Sequence, residues 1–234
     1  MLRIDETENL DDPYLPDHIV ERAYRDMAAI HHWLGDVRFM INAIRGDSMP
    51  VHRILDVGCG TGLVLQRIGR ALDVDVVGAD IQPRARVCAP VPIVRVDARS
   101  EPLPSADVAF CMYLCHHLVP EDLVRMIRNV GRYCRRFILL DLVRHPVPLS
   151  LFRAFVGPLI CDIDAQDGKR SIRRSYTHVE LTGIAAAALA GSDARFRPSV
   201  TPFWLRQVVD ISYGAAEPDT KSQIETAEEE ECLR

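Results

Sequence analysis

Three glycines at alternating positions, Gly58, Gly60 and Gly62, break the run Leu55-Asp56-Val57-Gly58-Cys59-Gly60-Thr61-Gly62. Without Cβ atoms there, the backbone turns tightly and a ligand can approach it closely. The turn lies where the β-rich run Arg53-Ile-Leu-Asp-Val passes into helical spacing at Leu63, Leu65, Ile68 and Leu72, the place where open α/β sheets leave a nucleotide-sized crevice. A dinucleotide fingerprint would need its third glycine at position 63, which is Leu63, and no Gly-Lys-Ser/Thr supports a phosphate cradle. Asp80 closes the run Val76-Val-Gly-Ala-Asp, where a carboxylate can accept from both hydroxyls of a ribose. Asp97 closes Val94-Arg-Val-Asp, where it can receive an adenine amino group while the Ala98 N–H faces a ring nitrogen. Taken singly, each acid is more often a turn residue. Three such features on successive strand ends, in this order, point to a nucleoside-bearing ligand.

These residues must be positioned by alternating strands and helices. Apolar residues recur at helical spacing from Asp17 to Ile44 (Val20, Ala23, Met27, Ile30, Leu34, Val37, Ile41, Ile44), with Gly35 dividing two helices. Strands are predicted over 53–57, 74–79, 93–96, 108–112 and 137–142, with a helix over 121–134 that opens on acidic residues. Residues 144–174 carry Pro146, Pro148 and Pro158 amid the apolar group Leu149 to Ile160, read as an inserted helical cap. A helix over 179–190 follows Thr177 as N-cap, then strands over 196–200 and 203–212. Strand-helix alternation implies parallel pairing with helices on both faces. The organisation is an arm (1–16), one domain (17–213, its N-terminal helices over 17–50) and an acidic tail (214–234) expected to be disordered.

With 234 residues the chain has the length of one domain. Its net charge of −5, with Glu228 to Glu231 consecutive in the tail, argues against nucleic acid as a partner, which calls for clustered Lys and Arg. The seven cysteines (59, 88, 111, 115, 134, 161, 232) include no Cys-x-x-Cys pair and read as reduced thiols. The beginning of the chain lacks an apolar signal core and no run of about 18 apolar residues occurs, so no membrane insertion and a cytoplasmic location are expected.

The order Asp-Val-Gly-Cys-Gly-Thr-Gly, Gly-Ala-Asp, Val-Asp-Ala, then Asp107-Val-Ala-Phe with Leu114-Cys-His-His-Leu118, resembles the class I S-adenosylmethionine-dependent methyltransferases over about Arg53 to Leu142. The resemblance implies a Rossmann-like seven-stranded α/β sheet, mostly parallel with the last strand antiparallel. It places S-adenosylmethionine, with S-adenosylhomocysteine as product, against Asp56, Gly58, Cys59, Gly60 and Gly62 at the methionine end, Asp80 and Ile81 at the ribose and adenine, Asp97 and Ala98 at the adenine, and Tyr113 beside it. The flanks Tyr24-Arg-Asp-Met…His31-His-Trp-Leu-Gly and Asp167-Gly-Lys-Arg-Ser-Ile-Arg-Arg-Ser-Tyr176-Thr resemble bacterial methyltransferases of polyketide-type pathways acting on aromatic or quinone-like acceptors.

His116 and His117 follow the fourth strand, where the family's acceptor faces the methyl group. One of them, His116 preferred, is a candidate base for an acceptor hydroxyl, since an ordinary imidazole titrates near about 6.5. The plainer reading is a cap or packing role. Tyr24, Tyr113 and Tyr176 can orient an acceptor, Arg173 and Arg174 can hold an anionic group on it, and Asp141 ends the fifth strand near the expected pocket. The Asp-Asn partners of a metal-dependent catechol enzyme are not evident, so no metal is predicted. The cap, with Tyr24, Met27 and Trp33, is expected to close over a hydrophobic small-molecule acceptor. A nicotinamide-dependent oxidoreductase and a non-catalytic cofactor-binding regulator remain the alternatives, and the protein is expected as monomer or homodimer.

Overall fold

The structure, a computed structural model, describes residues 1–11, 14–82 and 91–213; the acidic tail, Cys88 and Cys232 lie outside them. Helices α1 (Asp17–Trp33) and α2 (Asp36–Arg45) precede β1 (Arg53–Val57), α3 (Leu63–Leu72), β2 (Asp75–Asp80), β3 (Ile93–Arg95), β4 (Ala106–Met112), α4 (Pro120–Val130) and β5 (Cys134–Leu142). Then come α5 (Pro146–Leu151), α6 (Asp162–Arg174), α7 (His178–Leu189), β6 (Arg195–Val200) and β7 (Arg206–Ser212). The strands form one sheet in the order β3-β2-β1-β4-β5-β7-β6. β7 runs antiparallel to both β5 and β6, while the pairs from β3 to β5 are parallel.

The period of two along each central strand splits the core into two layers. Leu55, Val57, Ala109, Cys111, Phe137 and Leu139 pack toward α4 and α7. Ile54, Val108, Phe110, Ile138 and Leu140 pack toward α2 and α3 through Val37, Met40, Ile44, Leu65 and Ile68. Because β1 has β2 on one side and β4 on the other, the chain leaves the sheet toward opposite faces at this point, and a crevice opens at the strands' carboxyl ends.

Several predicted boundaries move. The helix expected to reach residue 134 stops at Val130, because Cys134 is already paired with Ala106 as the start of β5. The strand expected from residue 203 begins at Arg206, since Pro202–Trp204 is a 3-10 turn with Phe203 and Trp204 at φ of 61° and 54°. Gly35, at φ 81°, separates α1 from α2 as expected. Thr177 caps α7 in a full capping box with Glu180. Among the described residues no helix is long and apolar enough to cross a membrane.

Candidate active site

At the carboxyl ends of β1, β2 and β4 a cavity of about 450 Å³ takes in both the glycine turn and the strand-end acids, within the usual size of small-molecule sites. Gly58 and Gly60 stand at φ of 77° and 54°, the left-handed region that favours glycine. The Gly60 N–H donates to Asp80 Oδ2 (2.8 Å), and the Gln82 N–H donates to Asp80 Oδ1 (2.8 Å), so the carboxylate that faces the cavity is fixed by backbone on both oxygens. A Cβ on Gly60 would lie 3.0 Å from Tyr24 Cε1; Tyr24 covers the turn from α1. Asp56, Cys59, Ile81, Asp97, Ala98 and Tyr113 line the same cavity. Gly62 does not; its φ of 72° instead turns the chain into α3, and its α-carbon faces Val91 and Ile93.

The electrostatics of this half fit S-adenosylmethionine. Burial, and then the neighbouring Asp80 charge, push the Asp56 carboxyl well above the ordinary carboxylate range, a cost that an incoming ammonium group relieves. Asp97 is more heavily engaged than its sequence position suggested. Arg99 clasps it through Nε and Nη2 (2.8 and 2.7 Å) and holds it below the usual range through that hydrogen bond, while Arg99 Nη1 reaches Asp122 (2.8 Å). Arg99 also lines the cavity, and its place two residues after an Asx-type acid was the available sequence signal.

The acceptor end is walled by α1 and the N-terminal arm. Tyr24, Met27, Ala28 and His31 project into the cavity at i, i+3, i+4 and i+7, one face of α1, and Glu8 and Leu10 close it from the arm. His31 was not singled out as a catalytic candidate, although its spacing from Tyr24 carried the signal. His31 Nδ1 donates to Asp36 Oδ2 (3.0 Å), and the Tyr113 hydroxyl donates to the same oxygen (2.7 Å). Arg206 Nε pairs with the other oxygen, and Asp36 is fully buried. The His31 ring stacks on Tyr113, centroids 4.4 Å apart and planes 14° apart. With Nδ1 committed to a carboxylate, the basic atom of this cavity-lining ring is Nε2. Burial, and then the Asp36 charge, push the Tyr113 phenol well above its ordinary range, so it serves as a donor and not as a base.

The two histidines after β4 occupy different stations. His117 lines the cavity, whereas His116 lies behind it, buried. The His116 N–H and its Nδ1 both meet the Asp141 carboxylate (2.8 and 2.7 Å), and Nε2 stands 3.4 Å from Glu8 Oε1. Burial lowers the His116 pKa, but the Asp141 and Glu8 carboxylates outweigh it and carry it up to about 9. With both ring nitrogens turned to carboxylates and the ring outside the cavity wall, His116 is poorly placed to act as the base on an acceptor. Glu8 shows the complementary balance: burial pushes it up, and His116, His117 and Ser171 together hold it at about 2.

Three further acceptor candidates do not reach the cavity. Asp141 is buried beneath it, occupied by His116 and by the Leu142 N–H (2.7 Å). The Tyr176 hydroxyl donates to the Leu118 carbonyl (2.7 Å) while Arg3 lies over its ring (4.2 Å). Arg173 lies in the last turn of α6 and its carbonyl receives the Ile4 N–H. None of residues 144–174 lines the cavity, and Trp33 is 73% exposed. The arm takes the place of the expected cap because Asp167 of α6 holds it there, accepting from the Asn9 and Leu10 N–H groups (2.8 and 3.0 Å). Among the described residues, Glu8, His116 and His117 offer ligand atoms within 4.8 Å of one another.

Residues 54–136 match the family described as methyltransferase domain. No curated protein sequence matches the chain. Among solved structures, the plantazolicin methyltransferase BpumL with SAH is similar at 15% identity, over 88% of each chain, with a TM-score of 0.60. Human N-acetylserotonin methyltransferase with SAM is similar at 14% identity, over 83% of this chain and 56% of that one, with a TM-score of 0.57. The magnesium protoporphyrin IX methyltransferase of Synechocystis PCC 6803 with bound SAH follows at 16% identity, over 88% and 91%, with a TM-score of 0.51. These likenesses are of fold: the chain carries a methyltransferase domain match over residues 54–136 and folds as the class I, S-adenosylmethionine-dependent methyltransferases do.

Proposed function

We propose that the protein methylates a hydroxyl oxygen, or an activated carbon, of a small aromatic, quinone or polyketide-like acceptor. When bound, S-adenosylmethionine supplies a methyl group already activated on a sulfonium. The residues that would hold it are Asp56 with the Gly58–Gly60 backbone at the methionine end, Asp80 and Ile81 at the ribose, and Asp97 and Ala98 at the adenine. The work left to the protein is to align the acceptor, exclude water and remove a proton. Alignment of that kind corresponds to effective molarities of about 10⁵ M or more.

The observation that carries the reading is the His31–Asp36 pair in the wall of the cavity that contains the glycine cradle. Asp36 sets the tautomer of His31 and stabilises the imidazolium formed as Nε2 takes the acceptor proton, while Tyr113 and Arg206 hold the carboxylate in place. Leu10, Met27, Leu114 and Leu118, all on the cavity wall, favour an apolar acceptor body. His117 stands within the same wall but faces Glu8 and Arg174 (3.7 and 3.5 Å), a poorer setting for a base.

Methyl-labelled cofactor and a panel of phenols, hydroxyquinones and small polar alcohols test this. Label should pass to the aromatic members, and His31→Ala should lower turnover by about 10²–10⁴-fold with SAH affinity retained. Undiminished turnover in His31→Ala, or equal transfer to the polar alcohols, overturns the reading.

A further inference from the structure

We propose that Glu8, His116 and His117 form a site for one divalent first-row transition cation, of the zinc or cobalt kind, at the acceptor end of the cavity. Glu8 Oε1 lies 3.4 Å from His116 Nε2 and 3.7 Å from His117 Nε2. Both separations exceed the roughly 2.7–2.9 Å of a charge-assisted hydrogen bond. They match instead the edge of a tetrahedron whose corners are about 2.1 Å from a central ion, roughly 3.4 Å. The two rings, centroids 4.3 Å apart and tilted by 38°, present the same nitrogen toward the same carboxylate oxygen.

The surroundings are those of a built site. His116 Nδ1 donates to Asp141 Oδ1 (2.7 Å), the carboxylate-histidine arrangement that directs Nε2 toward a metal and raises its basicity. The Ser171 hydroxyl donates to Glu8 Oε1 (2.6 Å), and the backbone just beyond Glu8 is pinned by Asp167. Two imidazoles and one carboxylate form a borderline donor set, suited to zinc, cobalt or iron more than to magnesium or calcium. Arg174 Nη1 opposes this at 3.5 Å from His117 Nδ1, but that contact is at the outer limit of a hydrogen bond and does not fix the ring's tautomer.

Three protein ligands leave the remaining coordination positions vacant, and since Glu8 and His117 line the cavity, those positions face it. A cation there binds an acceptor through oxygen, either an ionised hydroxyl or a hydroxyl beside a carbonyl. That role rests on the proposed methyl transfer; the cation site itself does not.

The full-length untagged chain, stripped with a chelator, is titrated with Zn²⁺ against a chromophoric indicator and separately with Co²⁺. One equivalent of zinc per chain is expected, together with cobalt d–d bands and no thiolate-to-cobalt charge transfer. Glu8→Gln and His117→Ala should abolish those bands with far-UV circular dichroism unchanged, Asp141→Asn should weaken binding by about 10–100-fold, and His31→Ala should bind as the wild type does. No stoichiometric uptake, a thiolate band, or wild-type binding by folded Glu8→Gln and His117→Ala overturns the site. SAH calorimetry on the same samples separates the two claims. SAH binding without cation uptake removes only the metal, whereas cation uptake without SAH binding removes the methyltransferase reading.

Discussion

Gly60 is required by backbone and by space at once, and the two demands can be separated. Its φ of 54° disfavours any side chain, and an added Cβ meets Tyr24 at 3.0 Å, whereas Gly35 at φ 81° has nothing within 4 Å. Alanine at either position should lose about 1–2 kcal/mol in thermal melts, the cost of a left-handed residue bearing a Cβ. Only Gly60→Ala should also weaken SAH binding by calorimetry; an equal loss in Gly35→Ala would show that the effect is global. Asp56 gives a pH-dependent test. Its carboxyl is raised by burial above the ordinary 3.8, so the fold binds that proton more tightly than the unfolded chain does. Ionisation therefore destabilises the fold progressively as pH rises from 3.8 through the higher folded value. Asp56→Asn should gain stability over the wild type across that interval, hold the gain at neutral pH, and lose SAH affinity. A variant less stable than wild type at pH 7 would refute this.

Among the elements, α7 shows how a local signal becomes a tertiary one. Thr177 accepts the Glu180 N–H, and the Glu180 carboxylate reaches back to the Thr177 N–H (2.8 Å) while pairing with buried Arg144. Thr177→Ala should cost about 1 kcal/mol of unfolding free energy and leave SAH binding unchanged, since α7 contributes nothing to the cavity wall. Helix α1 differs: a single face supplies four wall residues, so its amphipathic pattern serves the site as much as the core.

For the whole molecule, the buried Asp36 is the point at which distant segments meet. It joins His31 of α1, Tyr113 after β4 and Arg206 at the start of β7. Removing one partner leaves a charge without compensation in the interior, so Arg206→Ala should lose about 3–5 kcal/mol in urea denaturation. A loss within about 0.5 kcal/mol, the range of an ordinary surface substitution, would mean that the Arg206–Asp36 pair does not hold these segments together.

What the sequence determined by itself is the local frame around the glycine turn. Strand, glycine turn and helix follow one another within Arg53 to Leu72, and Asp80 and Asp97 close the next two strands; periodicity and turn chemistry are properties of neighbouring residues, so they are written locally. His31 was half legible, through its helical register with Tyr24, but its partner Asp36 lies across the Gly35 break in another helix. Glu8, more than a hundred residues from His116 and His117, carried no local signal, and neither did the replacement of the expected cap by the arm. Only tertiary structure decided those, because which side chains enter a cavity depends on how remote segments close over it, and no spacing along the chain records that closure.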